Sequence, residues 1–268
     1  MASLKTSPRL TSAQPRAYYR IGCVYDMLPG MEELLNISDD SLIRFMTRWY
    51  GPPSKSPDST SIDCRVSASR NLMKWHQLAG CWDAEITHQS SAVPLSELAE
   101  KNGFIEFWVE SQGCWSWAIS SDAEDFQVFD RDPEIEEAWA PTSENLPDFL
   151  LHATVYEAII GAPYSKGAEV DFDQLGVITK RFKRFPLPAW RWPSLQHRIL
   201  VGEDVLALIS PKAEGGTDRD TICQLRVVGG SPGKLASIGD EGDIPWVYRS
   251  KDESAFRQAD EPIPDFLS

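Results

Sequence analysis

The stretch Phe104-Ile105-Glu106-Phe107-Trp108-Val109-Glu110 constrains the fold most. It is dense in aromatic and β-branched residues, which favour a pleated, half-buried surface over a helix. Ser111-Gln112-Gly113 supplies a turn, and Cys114-Trp115-Ser116-Trp117-Ala118-Ile119 returns as a second strand, so the spacing predicts a β-hairpin over 104–119. Side chains alternate along a strand, which places Trp115 and Trp117 on one face.

Helices bracket this hairpin. Ser38-Asp39-Asp40-Ser41 is a helix-start signal, and Leu42, Phe45, Met46 and Trp49 follow at helical spacing until Gly51-Pro52-Pro53. A second helix is expected from about Ser67 to Ala79, with Leu72, Trp75 and Leu78 inward, and a short helical turn near Leu95–Leu98. Asn145 and Pro147 suit the start of a strong helix whose Phe149, Leu150, Ala153, Tyr156, Ile159 and Ile160 line one side. Another helix, capped by Asp171, is read through Phe182 and Phe185. Short strands are expected at 198–201, 205–209, 221–228 and 245–248. Helices, a hairpin, helices and then short strands make an α+β plan rather than an alternating βαβ one.

Composition narrows the function classes. The 268 residues carry a formal net charge of −14, which disfavours binding to nucleic acid or to an anionic membrane and suits a basic partner. Five cysteines at 23, 64, 81, 114 and 223 lack paired spacing, as expected of free thiols in a reducing, cytoplasmic setting. No apolar run approaches the roughly 18 residues that span a bilayer. The first twenty residues hold Lys5, Arg9, Arg16 and Arg20 without an apolar core, so they read as a tail and not as a secretory signal.

Between Asp122 and Asp148 ten acids face the single Arg131. Such a run is usually a solvated face. It can also steer a basic protein into place while buried aromatics nearby hold it. The residues expected to serve such docking are Asp122, Glu124, Asp125, Asp130, Asp132, Glu134 and Trp139. Trp108, Trp115 and Trp117 are further anchors if exposed, although most of them are expected in the core.

Segment 104–163, with its Glu110-Ser-Gln112-Gly113 turn, Trp-bearing strand, Asp132-Pro133 and Leu146-Pro-Asp-Phe149-Leu150 helix start, resembles the Smi1/Knr4-like (SUKH) superfamily. Trp75-His-Gln-Leu78-Ala-Gly80 resembles that family's helix end. Ser111 replaces the usual Asn of the turn, and Glu134 replaces the second Pro after the Asp. The resemblance implies a central, mainly antiparallel sheet flanked by helices. It divides the chain into a tail at 1–27, a SUKH-like domain at 28–165, a C-terminal α+β extension at 166–250 and a tail at 251–268. It also implies binding rather than catalysis, with no cofactor and no metal. The expected job is that of an immunity protein that neutralises a basic protein toxin, nuclease- or deaminase-like, by stoichiometric occlusion. The alternative is a signalling scaffold like the fungal members.

Three other patterns point less far. Cys114 after Gln112-Gly113 resembles a cysteine-protease nucleophile segment, but it sits in a strand, where no helix N-terminus lowers the thiol pKa. Cys64, His76, Cys81 and His88 have zinc-ligand chemistry without zinc-site spacing. Lys180–Arg198 interleaves basic and aromatic residues; on so acidic a chain it is expected to offset the acids within the fold.

Overall fold

A computed structural model describes residues 30–56, 70–121, 126–135, 138–211, 222–236, 238 and 244–250. The chain begins with α1 (Glu32–Leu35), α2 (Ser41–Tyr50) and α3 (Arg70–Ala79). Strands β1 (Ser90–Ala92), β2 (Glu100–Lys101), β3 (Phe104–Glu110), β4 (Ser116–Ser120), β5 (Gln127–Arg131) and β6 (Ala140–Asn145) follow, and then α4 (Leu146–Ile160). The rest comprises β7 (Tyr164–Val170), α5 (Phe172–Ile178), β8 (Lys183–Arg184), β9 (Arg198–Val201), β10 (Val205–Pro211), β11 (Cys223–Gly229), α6 (Pro232–Ala236) and β12 (Val247–Ser250). Among the described residues no helix is long and apolar enough to cross a membrane.

The fold is α+β, with two antiparallel sheets. The first runs β1-β3-β4-β5-β6, with β2 also paired to β3; the second runs β12-β7-β11-β10-β9-β8. The expected hairpin is β3–β4. Gly113 N–H donates to Glu110 O at 2.8 Å, and Gly113 has φ of +77°, a conformation that favours glycine. A register shift between Glu106 and Trp108 turns both Phe107 and Trp108 into the core, where each is 0% exposed.

Helix α4 joins the two sheets. Asn145 accepts from Asp148 N–H at 3.0 Å, and Pro147 fills the first turn, as its sequence predicts. Its apolar residues do not form one stripe, however. Only Pro147, Asp148 and Ile160 are not buried, because a helix between two sheets is apolar all round.

The strands of the second sheet sort their side chains by parity. Ile199, Val201, Leu206, Leu208 and Val228 join the main core with α4, whereas Leu200, Val205, Ala207 and Val227 face a second cluster with Ile178 of α5 and Leu235 of α6. The main core therefore contains residues from Met31 to Val228. The expected boundary at 165/166 falls within β7, and the second six-stranded sheet lies with α5 and α6 in residues 164–250.

The helix read from Asp171 through Phe185 is shorter than expected. Its capping box is present, with Gln174 N–H donating to Asp171 Oδ1 at 2.8 Å, but α5 ends at Ile178. Phe182 packs on the second cluster and Phe185 in the main core. One continuous helix cannot deliver residues three apart, on one face, to opposite sides of a sheet.

Polar groups also tie the halves together. Arg48 of α2 donates to Glu33 at 2.7 Å and reaches Asp204, before β10, at 3.4 Å. Lys183 of β8 pairs with Glu32 at 3.4 Å. Glu157 of α4 accepts from the backbone N–H groups of His88, Gln89 and Ser90 and from Ser90 Oγ, at 2.5–3.0 Å, which fixes β1 to the helix.

Candidate protein-docking face

The first sheet has a face turned away from α4. Alternation places Phe104 and Glu106 of β3, Ala118 of β4, and Phe129 and Arg131 of β5 there, as the pairs Glu106↔Ala118 and Ala118↔Phe129 require. Trp139 enters from the approach to β6. Phe104 meets Phe129 edge-on at 5.1 Å and Trp139 at 5.8 Å between ring centroids. The Arg131 guanidinium lies 4.2 Å from the Trp139 ring centre, within cation–π range, and 3.6 Å from Glu106. All three rings are half-buried, so each keeps an accessible part. Ile135, in the turn between β5 and β6, is 81% exposed.

The acids expected to serve docking divide by position. Asp122, Glu124 and Asp125 lie outside the described residues. Asp132 is half-buried, and its Oδ1 accepts from Glu134 N–H at 2.9 Å, while Glu134 is exposed. Asp130 is turned inward and is 2% exposed. Arg191 Nε donates to its Oδ1 at 2.9 Å, so the Asp130 charge is matched inside the fold instead of being offered to a partner. Parity explains this, because Asp130 pairs with the core residue Trp117 in the β4–β5 register.

The structure adds Phe104, Glu106, Phe129, Arg131 and Ile135 to this group. The sequence signal was the alternation of Gln127–Arg131, hidden by the density of acids around it. Trp108 and Trp117 are wholly core, and Trp115 is half-buried with the Arg191 guanidinium 5.0 Å from its ring centre.

The other patterns resolve into local structure. Cys114 Sγ donates to Glu110 Oε2 at 3.1 Å, and this bond and burial both raise the thiol pKa, which keeps it protonated. Cys81 Sγ donates to Gln77 O at 3.2 Å, and His88 lies 3.4 Å from Glu85. Cys64 falls outside the described residues; among those described no three His, Cys, Asp or Glu side chains group as metal ligands. In the basic stretch, Arg191 pairs with Asp130 and Trp190 donates to Glu144, so part of it is absorbed within the fold.

No family model, curated protein or solved structure matches the chain.

Proposed function

We propose that this protein is a stoichiometric binding module of the Smi1/Knr4-like kind, and that the outer face of its first sheet docks a basic protein. The partner is a protein toxin, neutralised by occlusion of its active site or substrate groove. The observation that carries the reading is the half-buried cluster of Phe104, Phe129 and Trp139 around Arg131, beside the exposed Glu134 and Ile135. Aromatic and Arg side chains are enriched among the residues that dominate binding energy at protein interfaces. The net charge of −14 gives the long-range attraction that selects a basic partner and speeds encounter.

The free thiols of Cys81, Cys114 and Cys223 support a reducing, cytoplasmic working place. The test is recovery of the tagged protein from its host at moderate salt, followed by reconstitution with the recovered partner. A single basic partner at one-to-one stoichiometry, whose toxic activity disappears on mixing, supports the proposal. Several sub-stoichiometric partners with no inhibited activity would favour a scaffold instead.

A further inference from the structure

The chain has four asparagines, at 36, 71, 102 and 145, and only Asn102 is followed by glycine. Asn102 and Gly103 form the two-residue turn between β2 and β3, closed by the pair Lys101↔Phe104. Their φ angles of +54° and +80° are both left-handed, the pattern that favours Asn-Gly in a tight hairpin. Asn102 is exposed, and among the described residues its side chain has no hydrogen-bond partner. The Gly103 N–H has no acceptor there either, and nothing lies within 4 Å of where a Cβ on Gly103 would stand. The turn is therefore open to water.

The other asparagines are engaged. Asn145 caps α4 through Asp148 N–H, Asn36 donates to Glu32 Oε2 at 3.1 Å, and Asn71 lies within α3. Each is followed by a bulky residue, Leu146, Ile37 or Leu72, which crowds the backbone nitrogen next to the carboxamide. Glycine has no Cβ and turns freely, so its nitrogen can swing towards the preceding side chain.

That freedom permits a reaction within the chain. The Gly103 nitrogen attacks Asn102 Cγ and forms a C–N bond. The Cγ–NH₂ bond breaks, and the amino group leaves as ammonia with the proton given up by the Gly103 nitrogen. The product is a five-membered succinimide, whose closure gains from holding nucleophile and carbonyl in one chain. Water then adds to one of the two imide carbonyls. Cleavage at Cγ gives aspartate, and cleavage at the backbone carbonyl gives isoaspartate, whose main chain runs through Cβ and Cγ. No oxidant or reductant is needed.

Ring closure requires Asn102 to leave its turn conformation. On one side β2 offers little resistance, because it consists of Glu100 and Lys101 alone and both are exposed. On the other side Gly103 O is held, accepting from Ser121 N–H at 2.9 Å and Ser121 Oγ at 3.2 Å. Fraying of β2 therefore frees the asparagine without unfolding the sheet. We propose that Asn102-Gly103 is a self-modification site at which the folded protein converts asparagine, through a succinimide, into aspartate and isoaspartate. The change adds a negative charge two residues from Phe104, and the isoaspartate form lengthens a two-residue turn. The chemistry does not depend on what the docking face binds.

The full-length protein is incubated, folded, at mildly alkaline pH in water enriched in oxygen-18. It is then cut after glutamate and analysed by mass spectrometry. Incorporation of one heavy oxygen in place of the amide nitrogen raises the Asn102 fragment by about 3 Da. The proposal expects this gain at Asn102, with isoaspartate among the products, while fragments holding Asn36, Asn71 and Asn145 keep their mass. Asn102→Gln, which would have to close a six-membered ring, should abolish the gain. No gain at Asn102 while a synthetic peptide of residues 98–107 converts under the same conditions would overturn the proposal. Equal gains at all four asparagines, or aspartate without isoaspartate, would do so too.

Discussion

Trp190 donates its indole N–H to Glu144 Oε2 at 2.6 Å, and the two residues link different sheets of the fold. Glu144 closes the first sheet at β6, whereas Trp190 lies between β8 and β9 of the second, packed 5.2 Å from Phe149 of α4 and 5.4 Å from Trp117 of β4. This contact ties the two sheets together through the shared main core. Replacing Trp190 with Phe should leave a buried carboxylate oxygen short of a donor and cost about 2 kcal/mol or more. Urea unfolding followed by near-ultraviolet circular dichroism measures the loss, and the transition should stay single.

The same reasoning applies to truncation. A chain ending at residue 165 lacks Phe185, Trp190, Ile199, Val201, Leu206, Leu208 and Val228, all members of the main core. It should fail to give a cooperative thermal transition, which calorimetry would read directly. A cooperative transition from that fragment would show that the first half folds alone.

Gly161 and His88 should show strong coupling. A Cβ built at Gly161 would lie 1.7 Å from His88 Nε2, while the Gly161 φ of −84° is ordinary for any residue. The cost of Gly161→Ala is therefore steric, about 1–3 kcal/mol as for overpacking. His88→Ala made alongside it should recover much of that loss. Denaturation of the four members of the double-mutant cycle tests this.

Burial holds the His76 imidazole below its ordinary pKa of 6.5. The unfolded chain therefore takes up this proton first as pH falls, so stability should decline on acidification below about 6.5 until the folded form also titrates. His197 is lowered for the same first reason and adds to the same slope. In His76→Phe, the slope of unfolding free energy against pH in this window should be shallower than in the parent. An unchanged slope would remove His76 as its source.

Much of this architecture was readable from local chemistry. The turn at Ser111–Gly113, the cap at Asn145 and the stop at Gly51 are local signals, and β3, β4, α2 and α4 follow from them. The strands missed, β1, β2, β5, β6, β7 and β8, carry weak local signals. Within β7, Lys166 and Glu169 look like loop residues. Yet Lys166 is 0% exposed, donating to Ile238 O and lying 4.5 Å from the Trp246 ring centre, contacts set by residues about seventy or more positions away. The docking acids show the same limit. Asp130 reads as one more charge in an acidic run until Arg191 is brought to it by the second half of the fold. Likewise His152 reads as a lone polar residue in a helix until Glu144 and Trp190 surround it.

The central claim, that the outer face of the first sheet docks a basic protein, is tested most directly by site-specific photocrosslinking. A photoreactive phenylalanine analogue is placed at Phe129, at Trp139 or, as a control, at Phe172, which is 57% exposed on α5. Each full-length protein is then irradiated in its host lysate. If the outer face docks a basic protein, positions 129 and 139 capture the same single basic protein and position 172 does not. Capture of that protein at 172 alone, or equally at all three positions, would contradict it.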